Sequence, residues 1–487
     1  MTKGKIFDKI SFVLVRLPKL KKRLVLLLSF VFIFAAVLFA CDPIKLGEVP
    51  PYNATVYGNG GSAVVKGDYI YFANAYIDMT TLTNNDNKYD QNSAQTLYAI
   101  YRAKLDNSGK VLRDEDGKPK QVEIVTFNVG GYAYSGLYIC GEYLYYTTPY
   151  TQRDSSGSLT TGLIRFARVK LDGTGKDLNI HSVTNYDSNS DYDIVYIDGS
   201  TYICILDADK HLSVIECRGG NTLKHLNIAS DVTGIKLFAQ DDIAYNQSTN
   251  DAYKYVYYTI KDSTTSIYKL CRRDLKTDGE VEILDSSTEE ITVNCVKNNR
   301  VYYVKAGKLT SQGFGSADVV KTYSTISVGT GSSATQNTIT NYVVLDDDNQ
   351  GVVGVYYDGE TYSLKSFRHN ELPVDLNIQS TSAITILATI DSDIYYQISG
   401  DNALYRTSMS FPSFVPTASE ATVVAPNFVL SGDSSKSQFD FDHYRLFVYE
   451  ANNSSTDKYL TMYMSIGNPY SDESGTTVGQ YIGKVAE

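Results

Sequence analysis

Asp187, Asn189, Asp191 and Asp193 place an oxygen ligand at every second position, and Asp198 follows eleven residues after the first. A calcium ion takes six to eight oxygens, so this spacing makes the segment the best metal candidate in the chain. Tyr192 stands where such a loop usually turns back on Gly, and Asp198 is shorter than the customary bidentate Glu. A solvated polar linker between repeats is the alternative. The five histidines, His181, His211, His225, His369 and His443, form no His-Glu-x-x-His or His-x-His pattern, which excludes a helical zinc site. There is no Gly-x-Ser-x-Gly elbow and no Cys-x-x-Cys pair. Cys204 and Cys217 are spaced to face each other across one hairpin. A carboxylate pair for glycoside chemistry is compatible with so many acids, but its signature is a separation in space. The sequence specifies no reaction and no cofactor beyond that calcium ion.

The elements that must carry these residues are strands. Beyond residue 52 the chain runs in short stretches of Tyr, Val and Ile between clusters of Asn, Asp, Gly and Ser, the pattern of an all-β protein. The stretches resemble one another. Ile70-Tyr71-Phe72-Ala73, Leu144-Tyr145-Tyr146-Thr147 and Val256-Tyr257-Tyr258-Thr259 are full copies, and Val301-Tyr302-Tyr303, Val355-Tyr356-Tyr357 and Ile394-Tyr395-Tyr396 are shorter. Tyr202-Ile203-Cys204 and Leu446-Phe447-Val448 are weaker copies. A second shared stretch aligns 97–109 with 163–175, with Lys-Leu-Asp in register at 104–106 and 170–172. Apolar or aromatic residues at consecutive positions require sheets covered on both faces. Small antiparallel sheets repeated in this way predict a β-propeller of about eight blades, with seven as the alternative. Ring closure would pair a strand within 53–65 with the last unit. Polar insertions at 80–95, 150–162, 324–340 and 411–437 exceed simple turns, and such loops are where binding tends to reside.

These anchors, with the Ile-Tyr-Arg-x-x-Leu-Asp return strand, resemble the YWTD-type propeller repeat. They are more similar still to the Tyr-rich propeller repeats of uncharacterised bacterial lipoproteins. Tyr or Phe replaces the Trp of that motif throughout, since the chain has 41 Tyr and no Trp. The resemblance implies a propeller fold and names no ligand.

The N-terminus carries a location signal. Lys19, Lys21, Lys22 and Arg23 precede Leu24–Ala40, a run without charge. It ends Leu38-Phe39-Ala40-Cys41, followed by Asp42-Pro43, and resembles the lipobox of bacterial lipoproteins. That resemblance implies acylation of Cys41 and cleavage before it, and an uncleaved apolar anchor is the alternative. Residues 1–40 read as a signal peptide, 41–51 as a short tether and 52–487 as one propeller domain. Beyond residue 40 the chain holds 36 basic and 54 acidic groups, a net charge of −18. A body so acidic argues against nucleic-acid partners. The expectation is an extracytoplasmic lipoprotein, anchored to the bacterial cell membrane through Cys41, that binds a glycan or a protein. A glycan-active enzyme or a structural component of an envelope complex would fit the same features.

Overall fold

The computed structural model describes residues 45–484, apart from 74–99, 127–135, 237–253, 329–337, 426–444, 464–479 and breaks of seven residues or fewer. Cys41 and the run Leu24–Ala40 lie outside the described residues, and among those described no helix is long and apolar enough to cross a membrane.

The described chain is all-β. Sheet 1 comprises Val56–Tyr57, Ala63–Lys66, Tyr69–Ala73, Ile100–Lys104 and Glu123–Thr126, in chain order. Sheet 2 comprises Tyr138–Cys140, Tyr143–Pro149, Ile164–Lys170 and Asp177–Val183, and sheet 3 Asp191–Ile197, Ser200–Leu206, Leu212–Arg218 and Asn221–Ala229. Sheet 4 is Val232–Lys236, Tyr255–Lys261, Tyr268–Asp274 and Glu282–Ser287, and sheet 5 Ile291–Lys297, Arg300–Lys305, Lys308–Gly313 and Lys321–Thr322. Sheet 6 is built on Thr338–Val344, Val352–Tyr357, Tyr362–Phe367 and Val374–Ser380, and sheet 7 on Ile384–Ile390, Asp393–Ile398 and Leu404–Ser410. Sheet 8 has Arg445–Glu450, Lys458–Tyr463 and Gln480–Lys484. The main strands of each sheet follow the chain, strand beside strand, and pair antiparallel with their neighbours. The Tyr-bearing anchors occupy the second strand of sheets 2 to 7, and of sheet 1 when its strands are counted from Ala63–Lys66, the two-residue edge strand Val56–Tyr57 being left out of the count.

The consecutive apolar residues are explained by cover on both faces. Every residue of Ser200–Leu206 is buried. One cluster packs Tyr202, Val214, Tyr257, Leu270, Val293 and Val301 between sheets 3, 4 and 5. Another joins Phe166 and Ile180 of sheet 2 to Tyr192 and Ile215 of sheet 3. Tyr302 of sheet 5 packs with Ile339 and Phe367 of sheet 6, and Leu364 of sheet 6 with Ile394 of sheet 7. The first of the repeated strands in sheets 1 and 2, 2 and 3, 3 and 4, 4 and 5, and 6 and 7 adjoin one another.

Three expectations are altered. Val56–Tyr57 does not serve the last sheet: Val56 pairs with Lys66 and Tyr57 with Val65, because the Gly58–Gly61 turn folds the segment back onto sheet 1. The insertions at 324–340 and 411–437 are partly strand: Ser327–Val328 runs parallel to Thr338–Val344, and Thr422–Ala425 pairs with Leu404–Ser410. Cys204 and Cys217 share a hairpin but not a register, since Cys204 faces Val214 and Cys217 faces Thr201. Cys140, Cys204, Cys217 and Cys271 are buried, and burial pushes the Cys140 thiol up to about 12 and that of Cys271 to about 11, so neither offers a thiolate.

Candidate functional site

Three arrangements of polar side chains stand out. The first repeats from sheet to sheet. On the third strand an Arg stands opposite the central anchor Tyr: Arg102 faces Tyr71, Arg168 faces Tyr145, Arg272 faces Tyr257 and Arg406 faces Tyr395. In sheets 1, 2 and 4 the same Arg lies beside an acid of the fourth strand, Glu123, Asp177 or Glu282. The Arg102 guanidinium is 2.6 Å from Glu123 and 4.6 Å above the Tyr69 ring. Arg168 is 3.5 Å from Asp177 and 5.2 Å from the Tyr143 ring centre, and Arg272 is 2.8 Å from Glu282 and 4.5 Å from that of Tyr255. Arg102 and Arg168 are 1% and 0% exposed, and a guanidinium keeps its proton at any physiological pH, so this ladder clamps strands and shuttles no protons.

The second arrangement is the entry of the chain. Leu46, Glu48 and Tyr52, around the end of the expected tether, hydrogen-bond to sheets 2, 1 and 3. The buried Leu46 donates its N–H to the Asp172 carbonyl in sheet 2 at 2.7 Å. Glu48 binds sheet 1: its carbonyl accepts from Arg102 at 2.5 Å, and its carboxylate accepts from Tyr69 and Lys104 at 3.1 Å each. These donors hold the Glu48 carboxyl below its ordinary range. The Tyr52 and Tyr196 hydroxyls share a hydrogen bond of 2.6 Å, reaching sheet 3. Lys66 lies 5.5 Å from the Tyr52 ring centre and donates to the Gly141 carbonyl at 2.7 Å. Gly141 has φ +61, and a Cβ there would meet the Tyr196 hydroxyl at 3.0 Å, so glycine is required.

The third is the turn after Ser200–Leu206. Asp207, Asp209 and His211 hold their ligand atoms within 4.8 Å of one another, the one such group among the described residues. Two carboxylates and an imidazole could bind a divalent cation. Much of that capacity already serves the turn, however: Asp207 accepts from the His211 N–H at 2.9 Å and lies 3.5 Å from its Nδ1, and Asp209 accepts from Asn185. The Asp-x-Asp-x-His spacing was visible in the sequence but reads there as turn chemistry.

The calcium motif does not assemble in its described part. Asp187 and Asn189 lie outside the described residues. Asp191 and Asp193 stand on a strand, where Asp191 accepts from the Tyr192 N–H at 2.8 Å, and Asp193 from the Ile194 N–H at 2.9 Å and the Tyr138 hydroxyl at 3.4 Å. Asp198 is in the turn beyond the strand, with φ 47, and pairs with Lys276. Seven residues at about 3.3 Å each set Asp191 and Asp198 roughly 20 Å apart, too far for one ion. For Asp191 and Asp193 the alternation is the two-residue period of a strand.

No family model matches the chain, and no curated protein matches its sequence. Solved structures are similar at low identity. A eukaryotic initiation factor aligns over 92% of both chains with 10% identity and a TM-score of 0.46. A post-proline cleaving enzyme from Rickettsia typhi aligns over 83% of this chain and 57% of its own, at 12% identity and 0.42. Virginiamycin B lyase from Staphylococcus aureus aligns over 66% of this chain and 97% of its own, at 10% identity and 0.31.

Proposed function

We propose that the chain is an extracytoplasmic binding module, an eight-bladed β-propeller held to the bacterial cell membrane through Cys41. The observation that carries the location is the charge-free run Leu24–Ala40 ending at Ala40-Cys41. Eight sheets of three or more strands in chain order, with aromatic cores between successive sheets from 2 to 7, support one blade per sheet. Binding is favoured over acid catalysis by the carboxylates themselves. Among the described residues the carboxyls of Glu48, Asp262, Asp358 and Asp401 are lowered, chiefly by hydrogen bonds from Lys104, Lys269, backbone amides and Tyr405. A general acid needs the opposite shift.

The test is a thermal-shift screen of the detergent-solubilised full chain against calcium, cell-wall fragments and soluble glycans, followed by assay of any hit for turnover. A ligand at one hundred times its Kd adds about 2.7 kcal/mol, which a melting curve resolves. A glycan that raises Tm and is recovered unchanged supports the binding module. A glycan recovered cleaved would replace it with the enzyme reading.

A further inference from the structure

Resting on the membrane-anchored reading, we propose that one end of the sheets is built to lie against phospholipid headgroups. This is the end where Leu46–Tyr52 crosses sheets 1 to 3. The partners of that segment, Asp172, Lys104, Tyr69, Lys66 and Tyr196, stand at strand ends or in the adjoining turns, and the antiparallel pairing places them all at the same end. Cys41 and Leu46 are five residues apart, at most about 17 Å of fully extended chain. A seven-residue strand such as Ile164–Lys170 is itself roughly 23 Å long. The leash is shorter than the sheet, so a lipid on Cys41, or a membrane run ending there, can bring only the near end to the surface.

Charge points the same way. At the near end Lys104 is matched by Glu48 and Asp68, Lys170 by Glu142, and Lys276 by Asp198. The hairpin turns at the far end carry Asp207, Asp209, Asp262, Asp358, Glu360 and Asp401, all partly or fully exposed, against Lys210, Lys308 and the Lys269 that pairs with Asp262, so acids outnumber bases there. An anionic headgroup layer repels that far end and tolerates the near one. The far end, with the turns that follow the anchor strands, is thereby turned outward to meet a ligand.

The experiment uses the full chain reconstituted in vesicles of phosphatidylcholine and phosphatidylglycerol, 3:1, that contain a headgroup-spin-labelled lipid. A fluorophore is attached at Glu142→Cys on the near end or at Glu360→Cys on the far end, both exposed positions. The expected result is quenching several-fold stronger at 142 than at 360. Adding Leu46→Ser and Glu48→Ala, which loosen the seat, is expected to shrink that ratio towards one. Equal or reversed quenching in chains that float with the vesicles overturns the orientation and leaves the anchored reading standing. Failure to float overturns the anchored reading and the orientation with it.

Discussion

Sheets 2 and 5 share an outline and fill it differently. In sheet 2 the central Tyr145 faces Arg168, whose guanidinium reaches Asp177 in its own sheet and the Gly219 and Gly220 carbonyls in sheet 3, at 3.0 and 2.5 Å. In sheet 5 the central Tyr302 faces Ser311, and the guanidinium comes from the second strand instead. Arg300 donates to the Ser311 hydroxyl at 2.8 Å and to its carbonyl at 3.1 Å, and Ser311 donates onward to Tyr323 at 3.0 Å. The place therefore calls for a buried donor that crosses strands, and the strand that supplies it is free to vary. What varies with it is reach, because Arg168 ties two sheets together whereas those bonds of Arg300 stay within one.

The largest expected effect falls on what the two sheets share. Burial raises the pKa of Tyr145, Tyr146, Tyr302 and Tyr303 well above the ordinary phenol value. Their contribution is intact below pH 10 and is lost as pH climbs towards the raised folded values, because the unfolded chain releases those protons first. Each adds about 1.4 kcal/mol per pH unit to the loss. Denaturant melts above pH 10 should thus show stability collapsing steeply, with phenolate absorbance appearing in step. Phenolate appearing before unfolding would mean that the rings are not sealed between sheets.

A smaller effect separates the two sheets. Arg168→Met leaves Asp177 and two carbonyls of the next sheet without their cation and should cost about 3 kcal/mol. Arg300→Met loses bonds to two oxygens of one residue and should cost about 1–2 kcal/mol. Urea midpoints of the two variants measure the difference, and equal costs would show that the tie between sheets contributes nothing.

An effect of another kind concerns Lys66 in sheet 1. Burial pulls its ammonium down to about 8, so below that pH the folded state carries a desolvated charge. As pH rises from 8 towards 10.5 the folded chain sheds the proton before the unfolded one, and stability increases. Lys66→Met should remove that rise, seen as a narrowing gap between variant and parent over this window.

Much of this was legible in the residues. The Tyr-rich copies mark the second strands, and the aligned Lys-Leu-Asp triplets mark one turn, in which Leu105 and Leu171 donate to the Asp68 and Glu142 carbonyls. The ladder was half legible: Arg102 and Arg168 lie inside the aligned stretches, but their acids follow at 21 and 9 residues, through connections of unequal length. The seat of Leu46–Tyr52 was hidden, since its partners are up to 144 residues away and are chosen by tertiary approach alone. Asp191 and Asp193 could not be told from ligands in the sequence, because ligand spacing and strand alternation share a period of two.

Strands this much alike pose a hazard while the chain is being made. A Tyr-Tyr strand leaving the ribosome would fit the third strand of almost any module, and shape alone cannot reject the wrong one. At the position opposite the central Tyr, sheets 1, 2, 4 and 7 carry Arg, sheet 3 carries Glu216, sheet 5 Ser311 and sheet 6 Ser363. A misjoined hairpin would bury an Arg away from its acid, or a Glu216 away from the Ser200 hydroxyl that bonds it at 2.8 Å. The same few side chains that clamp each finished sheet thus penalise a pairing between sheets that differ at this position.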